Sequence, residues 1–125
     1  MQYRSRRLVR HEHLNPRGTL FGGTCMQWID EEAAIYVICQ LGTKNIVTKL
    51  ISEINFISPA HLGDIVEFGM NVVSFGTTSI TVECVVRIKE TGNVIVRIDK
   101  MVFVSVDADG HPTRHKLAGN KIEEL

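Results

Sequence analysis

With 125 residues, 44% of them hydrophobic, the chain is long enough to bury one real core but too short for a catalytic domain beside a separate binding domain. Lys plus Arg and Asp plus Glu stand at 14 each, and this balance argues against nucleic acid or another polyanion as a partner. No run of about 18 apolar residues offers a membrane span, and three cysteines without a close pair suit a reducing cytoplasm rather than a disulfide framework.

Four arginines fall within the first ten residues (Arg4, Arg6, Arg7, Arg10), with no apolar stretch behind them to make a secretory signal. They read as the solvated side of a ragged first strand over residues 1–12. His13 to Gly18 is turn-rich, with Pro16 and Gly18 opposing regular structure. Gly22 and Gly23 then break the chain, Thr24 is placed to N-cap a helix, and Gln27 occupies the capping-box position three residues on. The helical pattern runs to about Leu41, where Gly42 offers a C-terminal stop.

Everything after Gly42 reads as strand. Residues 46–57 are rich in branched apolar types, and Ser58, Pro59 and Gly63-Asp64 mark a turn before a strand over 65–74. Gly76 punctuates next. Residues 79–89 alternate, with Ile80, Val82, Cys84, Val86 and Ile88 on one face, as in a half-buried antiparallel strand. Thr91-Gly92-Asn93 predicts a hairpin turn into a last strand over 94–107, where Lys100 interrupts the apolar phase as at a bulge. Beyond Asp109-Gly110 the chain turns polar and ends in a short tail that is expected to fray.

The predicted fold is therefore α+β, a single domain over 1–125 with its core at about 8–107. One long helix and an antiparallel sheet of about five strands can bury each other only if the sheet curls round the helix. An edge strand left over is most simply paired with the same edge of a second copy, giving a symmetric dimer.

Asp30 stands out against this background. At about 100° per residue, Gly23, Met26, Ala33, Ala34, Val37 and Leu41 all lie within roughly 60° of it, which puts a carboxylate at the centre of the helix's apolar face. Ionised carboxylates are seldom buried without a partner, so Asp30 marks either a site or an ion pair, with Arg17 or Lys49 as candidate cations. Asn15 in the irregular loop and the N–H groups of the Gly22-Gly23 helix start complete the minimum equipment for hydrolysing an activated acyl group: a base, an orienter and oxyanion donors. Seven helical residues separate Asp30 from Gly23, about 10 Å at 1.5 Å per residue. Both could serve one carbonyl only if Asp30 of one protomer met the Asn15 to Gly23 segment of another.

These residues resemble the hotdog-fold acyl-CoA thioesterases, in particular the bacterial acyl-CoA hydrolase branch related to the brain acyl-CoA hydrolases. The likeness lies in Asn15-Pro-Arg-Gly18, Leu20-Phe-Gly-Gly23, Gln27-Trp-Ile-Asp30, Phe56 with Pro59, Gly63-Asp64, and Phe75-Gly-Thr-Thr-Ser79. The resemblance implies a curved sheet wrapped round one central helix, and hydrolysis of short- to medium-chain acyl-CoA to CoA and a carboxylic acid. It implies Asp30 as catalytic aspartate, acting as general base or nucleophile, with Asn15 contributed by the opposite protomer. It further implies the Gly23 N–H as carbonyl polariser, Gly22 permitting close approach, and Phe56, Gly76, Thr77, Thr78 and Ser79 as substrate and CoA contacts. A homodimer or a higher assembly such as a tetramer or hexamer is implied, with no metal or other cofactor.

Plainer roles stand beside these. Asn15 can stabilise the turn before Pro16, and Glu31 and Glu32 suit the first half of a helix by dipole complementarity. Cys25 points nearly opposite Asp30, and the cysteines read as small core residues. His11 and His13 lack a third ligand for zinc, His61 in its turn carries no chemistry, and His111 and His115 lie in the tail, where a phosphate contact is open to them but nothing supports it. A dehydratase on the same fold would pair a histidine with an acid, yet no histidine lies between Asn15 and Val47. The alternative from another class is a non-catalytic acyl-CoA-binding sensor.

Overall fold

The computed structural model describes residues 1–120. Strand β1 (Gln2–Leu8) leads through a short 3-10 turn (His11–His13) into helix α1 (Gly22–Leu41), and five strands follow: β2 (Ile46–Ile51), β3 (Ile54–Phe56), β4 (Ile65–Phe75), β5 (Ser79–Ile88) and β6 (Val94–Ser105). They form one antiparallel sheet in the order β1-β4-β5-β6-β2, with β3 also paired to β6. The sheet thus has six strands rather than about five. The predicted strand over 46–57 is two, because the chain leaves the ladder at Ser52-Glu53 while Ser52 N–H donates to Lys100 O at 2.8 Å. At the matching place in β6 the register slips between the Val82 and Cys84 pairings, so Asp99 and Lys100 form the expected irregularity.

The helix start differs from the sequence expectation. α1 begins at Gly22, its N-cap is the extended Phe21, and no side chain caps it. Thr24 sits inside the first turn, and Gln27 donates instead to Glu31 Oε1 at 3.0 Å, an i,i+4 pair. The predicted stop is present: Gly42 adopts φ 69° and its N–H bonds Ile38 O at 2.8 Å, a left-handed cap that glycine takes without a Cβ penalty.

The helix buries Cys25, Ile29, Ala33 and Val37 against Val66, Phe68, Ile80, Val82 and Phe103 of the sheet. Each large side chain removed from water here contributes about 1.5–3 kcal/mol. Asp30 is one residue round from Ile29, about 100°, so it stands on the flank of the buried stripe and not at its centre. The stripe's other flank is open too, with Ile35 half exposed.

The opposite face of the sheet carries a different kind of chemistry. Arg6, Glu67 and Arg87 lie directly across from one another on β1, β4 and β5. Glu67 accepts from Arg6 Nε at 3.1 Å and from Arg87 Nε at 2.8 Å, and the Arg87 guanidinium lies 3.5 Å from the Tyr3 ring centroid. Strand β2, in contrast, pairs only with β6 among the described residues, and Val47 and Leu50 are exposed along it, as are Phe56 and Ile57 beside it.

Candidate active site

Strand β2 explains where the Asp30 carboxylate goes. Thr48 pairs with Phe103, whose side chain is buried under the helix, so Thr48 shares the helix-facing side of the sheet. Its hydroxyl donates to Asp30 Oδ1 at 2.9 Å. Neither Arg17 nor Lys49 forms an ion pair with Asp30 among the described residues. Sequence reasoning missed Thr48: it lies 18 residues from Asp30, and the register shift between Thr48 and Leu50 obscures the alternation that would assign its face. The faint signal was a polar Thr-Lys pair inside an otherwise apolar strand.

Asn15 closes the loop before the helix. Its Oδ1 accepts the Arg17 and Thr19 N–H groups at 2.9 and 3.1 Å, and its Nδ2 donates to Thr19 Oγ1 at 2.8 Å. The turn-stabilising role is therefore real. The same residue also lines a cavity of about 380 Å³ together with Leu20, Gly22, Phe56, Ile57 and Val96. Gly22 and Phe56 are adjacent there: a Cβ on Gly22 would stand 3.5 Å from the Phe56 ring. The first helical bond is Cys25 N–H to Phe21 O at 3.0 Å, which leaves the Gly22, Gly23 and Thr24 N–H groups at the positive end of the helix.

Within one chain these groups lie in two separate places. Asn15, Gly22 and Phe56 share the cavity with Gly23 beside them, while Asp30, further along the helix, and its β2 partner Thr48 do not line it. The Gly76 to Ser79 segment is a third element, a tight turn between β4 and β5 closed by Gly76 N–H to Ser79 O at 2.9 Å. A Cβ on Gly76 would meet Ser79 Oγ, so any larger residue there would have to turn the Ser79 hydroxyl aside. Thr78 borders a groove of about 310 Å³ that also reaches Thr48 and Lys49.

The remaining candidates fall to structural roles. Cys25 and Cys84 are buried, and burial pushes both thiols up to about 12, far from a nucleophilic thiolate at neutral pH. His13 packs edge-on against Trp28 at 4.7 Å, with its Nδ1 accepting Arg10 N–H at 3.0 Å. Asp107, Asp109 and His111 cluster on the surface, where Asp107 Oδ1 accepts two N–H groups of its own loop. His115 is buried, and the polar segment as far as Asn120 is folded against the sheet, while residues 121–125 of the tail expected to fray lie outside the described residues. No helix among the described residues is long and apolar enough to cross a membrane.

Comparison with known proteins places this architecture. The family model described as "Thioesterase superfamily" matches residues 17–95. The chain is 29% identical over 104 residues to the acyl-CoA thioester hydrolase YciA of Salmonella typhimurium, covering 78% of this chain and 77% of that one. It spans between 51% and 82% of the length of the curated relatives it matches. Among solved structures it resembles an acyl-CoA hydrolase of Staphylococcus aureus in complex with butyryl coenzyme A (TM-score 0.79, 32% identity, 89% of this chain and 66% of that one). That hydrolase has also been solved with an aspartate, an asparagine or a threonine replaced by alanine. A hexameric hotdog-fold thioesterase of Campylobacter jejuni superposes with TM-score 0.79 at 28% identity, over 93% of this chain and 91% of that one. The family match over more than half of the chain, on a single helix packed across an antiparallel sheet, makes this protein a hotdog-fold member of the Thioesterase superfamily.

Proposed function

We propose that this chain hydrolyses short- to medium-chain acyl-CoA thioesters at a site shared between two protomers. The observation that carries the reading is Asp30 itself: a half-buried carboxylate on the flank of the helix, held by the neutral Thr48 hydroxyl and not by a cation. A structural acid of that kind has little reason to sit there, whereas a base that must take a proton from water gains from a fixed orientation without a neutralising charge. The names of the relatives support the acyl-CoA class. In the S. aureus hydrolase the aspartate and asparagine replaced by alanine stand fifteen positions apart, the spacing of Asp30 and Asn15.

Thr48 engages Oδ1 and so leaves Oδ2 for water. The proton passes from water to Asp30 as the water oxygen attacks the thioester carbon, and the developing oxyanion is met by the Gly23 N–H of the other protomer. Collapse breaks the carbon–sulfur bond and releases the carboxylic acid, while the thiolate of CoA recovers the proton held by Asp30. Asn15 orients water or the carbonyl, and the acyl chain enters the apolar cavity beside Phe56 and Ile57. The Gly76 to Ser79 turn holds the CoA arm. Direct attack by Asp30 on the thioester is the second route open to the same carboxylate.

The partner protomer is required by distance, since Asp30 and Gly23 lie about 10 Å apart along one helix. The β2 edge, with Val47, Leu50, Phe56 and Ile57 exposed along or beside it, is where a second copy covers apolar surface and completes the ladder. A higher assembly than the dimer is in keeping with the hexameric thioesterases of Yersinia pestis and Campylobacter jejuni. The unpaired cysteines are consistent with a reducing cytoplasm.

The test is thiol release from acyl-CoAs of increasing chain length, with wild type and Asp30→Asn side by side at neutral pH. Turnover by the wild type that collapses in the variant supports hydrolysis through Asp30. Tight acyl-CoA binding without turnover would replace this reading with that of a sensor.

A further inference from the structure

The segment after β6 is held down at many points. Val106 bridges to Pro112, Thr113 N–H donates to Ser105 O at 2.8 Å, and Leu117 packs against the core. Its anchor is His115, which is 5% exposed. The Leu117 N–H can only donate, so His115 Nδ1, at 3.2 Å, is its acceptor. The ring proton of the neutral imidazole is therefore on Nε2, where it is given to Ser79 O at 2.7 Å. The His115 backbone N–H donates in turn to Thr77 O at 3.2 Å, and Ser105 N–H to Thr78 O at 2.8 Å.

The carbonyls of Thr77, Thr78 and Ser79 are thus all occupied from the C-terminal side, two of them by His115. With its backbone pinned in this way, the turn presents its hydroxyls in a defined arrangement. The groove of about 310 Å³ beside it has Thr78 on one wall, Gly110 and Pro112 of the C-terminal segment on another, Val104 between them, and Thr48 and Lys49 at the β2 end. It therefore joins the threonine that holds Asp30 to the turn that His115 holds, with a lysine ammonium able to meet a phosphate.

We propose that His115 is a positioning residue for substrate: it fixes the Gly76 to Ser79 turn and the C-terminal segment as the two walls of a groove that takes the pantetheine-phosphate arm of CoA. The inference rests on the acyl-CoA reading above. It concerns affinity for the CoA portion and not the chemical step, because His115 touches neither Asp30 nor Asn15.

Calorimetric titration of CoA into the full chain, as wild type, His115→Ala and His115→Gln, tests it. Loss of the ring bonds in His115→Ala weakens CoA binding about tenfold, whereas His115→Gln, whose Nε2 can still donate to Ser79 O, retains most of the affinity. In turnover, His115→Ala raises KM for a short acyl-CoA with kcat changed by less than about twofold, and leaves the N-acetylcysteamine thioester of the same acid, which has no nucleotide, unaffected. Equal loss on both thioesters overturns the proposal in favour of a purely structural histidine. CoA binding that is indifferent to His115→Ala also overturns it while leaving the hydrolase reading intact. A wild type that binds no CoA defeats both.

Discussion

Glu67 and Asp30 are two carboxylates in one small domain, treated in opposite ways. Glu67 is buried on the face of the sheet away from the helix, between Arg6 and Arg87 directly across the neighbouring strands. Desolvation pushes its pKa up, but the hydrogen bonds and charges of Arg87 and Arg6 outweigh burial and hold the group below the ordinary carboxylate value. Both of its oxygens are engaged by guanidinium groups, which favour the ionised form. Asp30 is only half buried, has a hydroxyl for a partner and faces an unpaired strand edge. Burial alone does not identify a working acid; the nature of its partner does, because a cation locks the charge whereas a neutral donor fixes only the geometry.

That contrast breaks most sharply at Asp30. Asp30→Asn is expected to lower kcat at least about a hundredfold while the thermal midpoint stays close to wild type, read as thiol release beside a melting curve. An equal loss of stability would make Asp30 a structural acid like Glu67.

The mirror experiment is Glu67→Gln, which removes the shared acceptor of two arginines. Both cations reach solvent in part and can rehydrate, so the cost is set below that of a fully buried pair, at roughly 2 kcal/mol in urea unfolding, with kcat unchanged. Loss of activity without loss of stability would give Glu67 a role outside the fold.

Thr48→Val tests whether the neutral donor matters. Removing a hydrogen bond to a charged group costs about 1.5 kcal/mol, or roughly tenfold in kcat, with KM little altered. Unchanged turnover would mean that Asp30 is oriented by something else.

The smallest effect is the pH dependence. The Glu67 pKa is depressed in the folded state from its ordinary value of 4.5, so the stability it contributes is present above that value and is lost as pH falls through the depressed folded one. The stability difference between wild type and Glu67→Gln should narrow on acidification through that window and stay constant between pH 6 and 8. Narrowing near neutrality would point to a different titrating group.

Much of this architecture was legible locally. The Gly42 stop, the alternation of Ile80 to Ile88 and the irregularity at Lys100 all depend on neighbours a few residues away, and all three are in the structure. Of the site, the chain could nominate Asp30, Asn15 and the Gly22-Gly23 step, since each is an anomaly against its own surroundings. The expected Thr24 cap is not formed, because glycine at Gly22 lets the helix start earlier than capping rules suggest, with Phe21 left extended ahead of it.

What the sequence by itself determined is the set of elements and the residues whose chemistry is out of place among them, because both follow from side-chain periodicity and backbone preference over one or two turns. Only the tertiary structure decided the partners. Thr48 reaches Asp30 across 18 residues through a ladder with a register shift, and His115 reaches Ser79 across 36. A polar segment such as 107–118 reads locally as solvated, because composition records the desolvation a buried imidazole must suffer but not the distant carbonyl that offsets it.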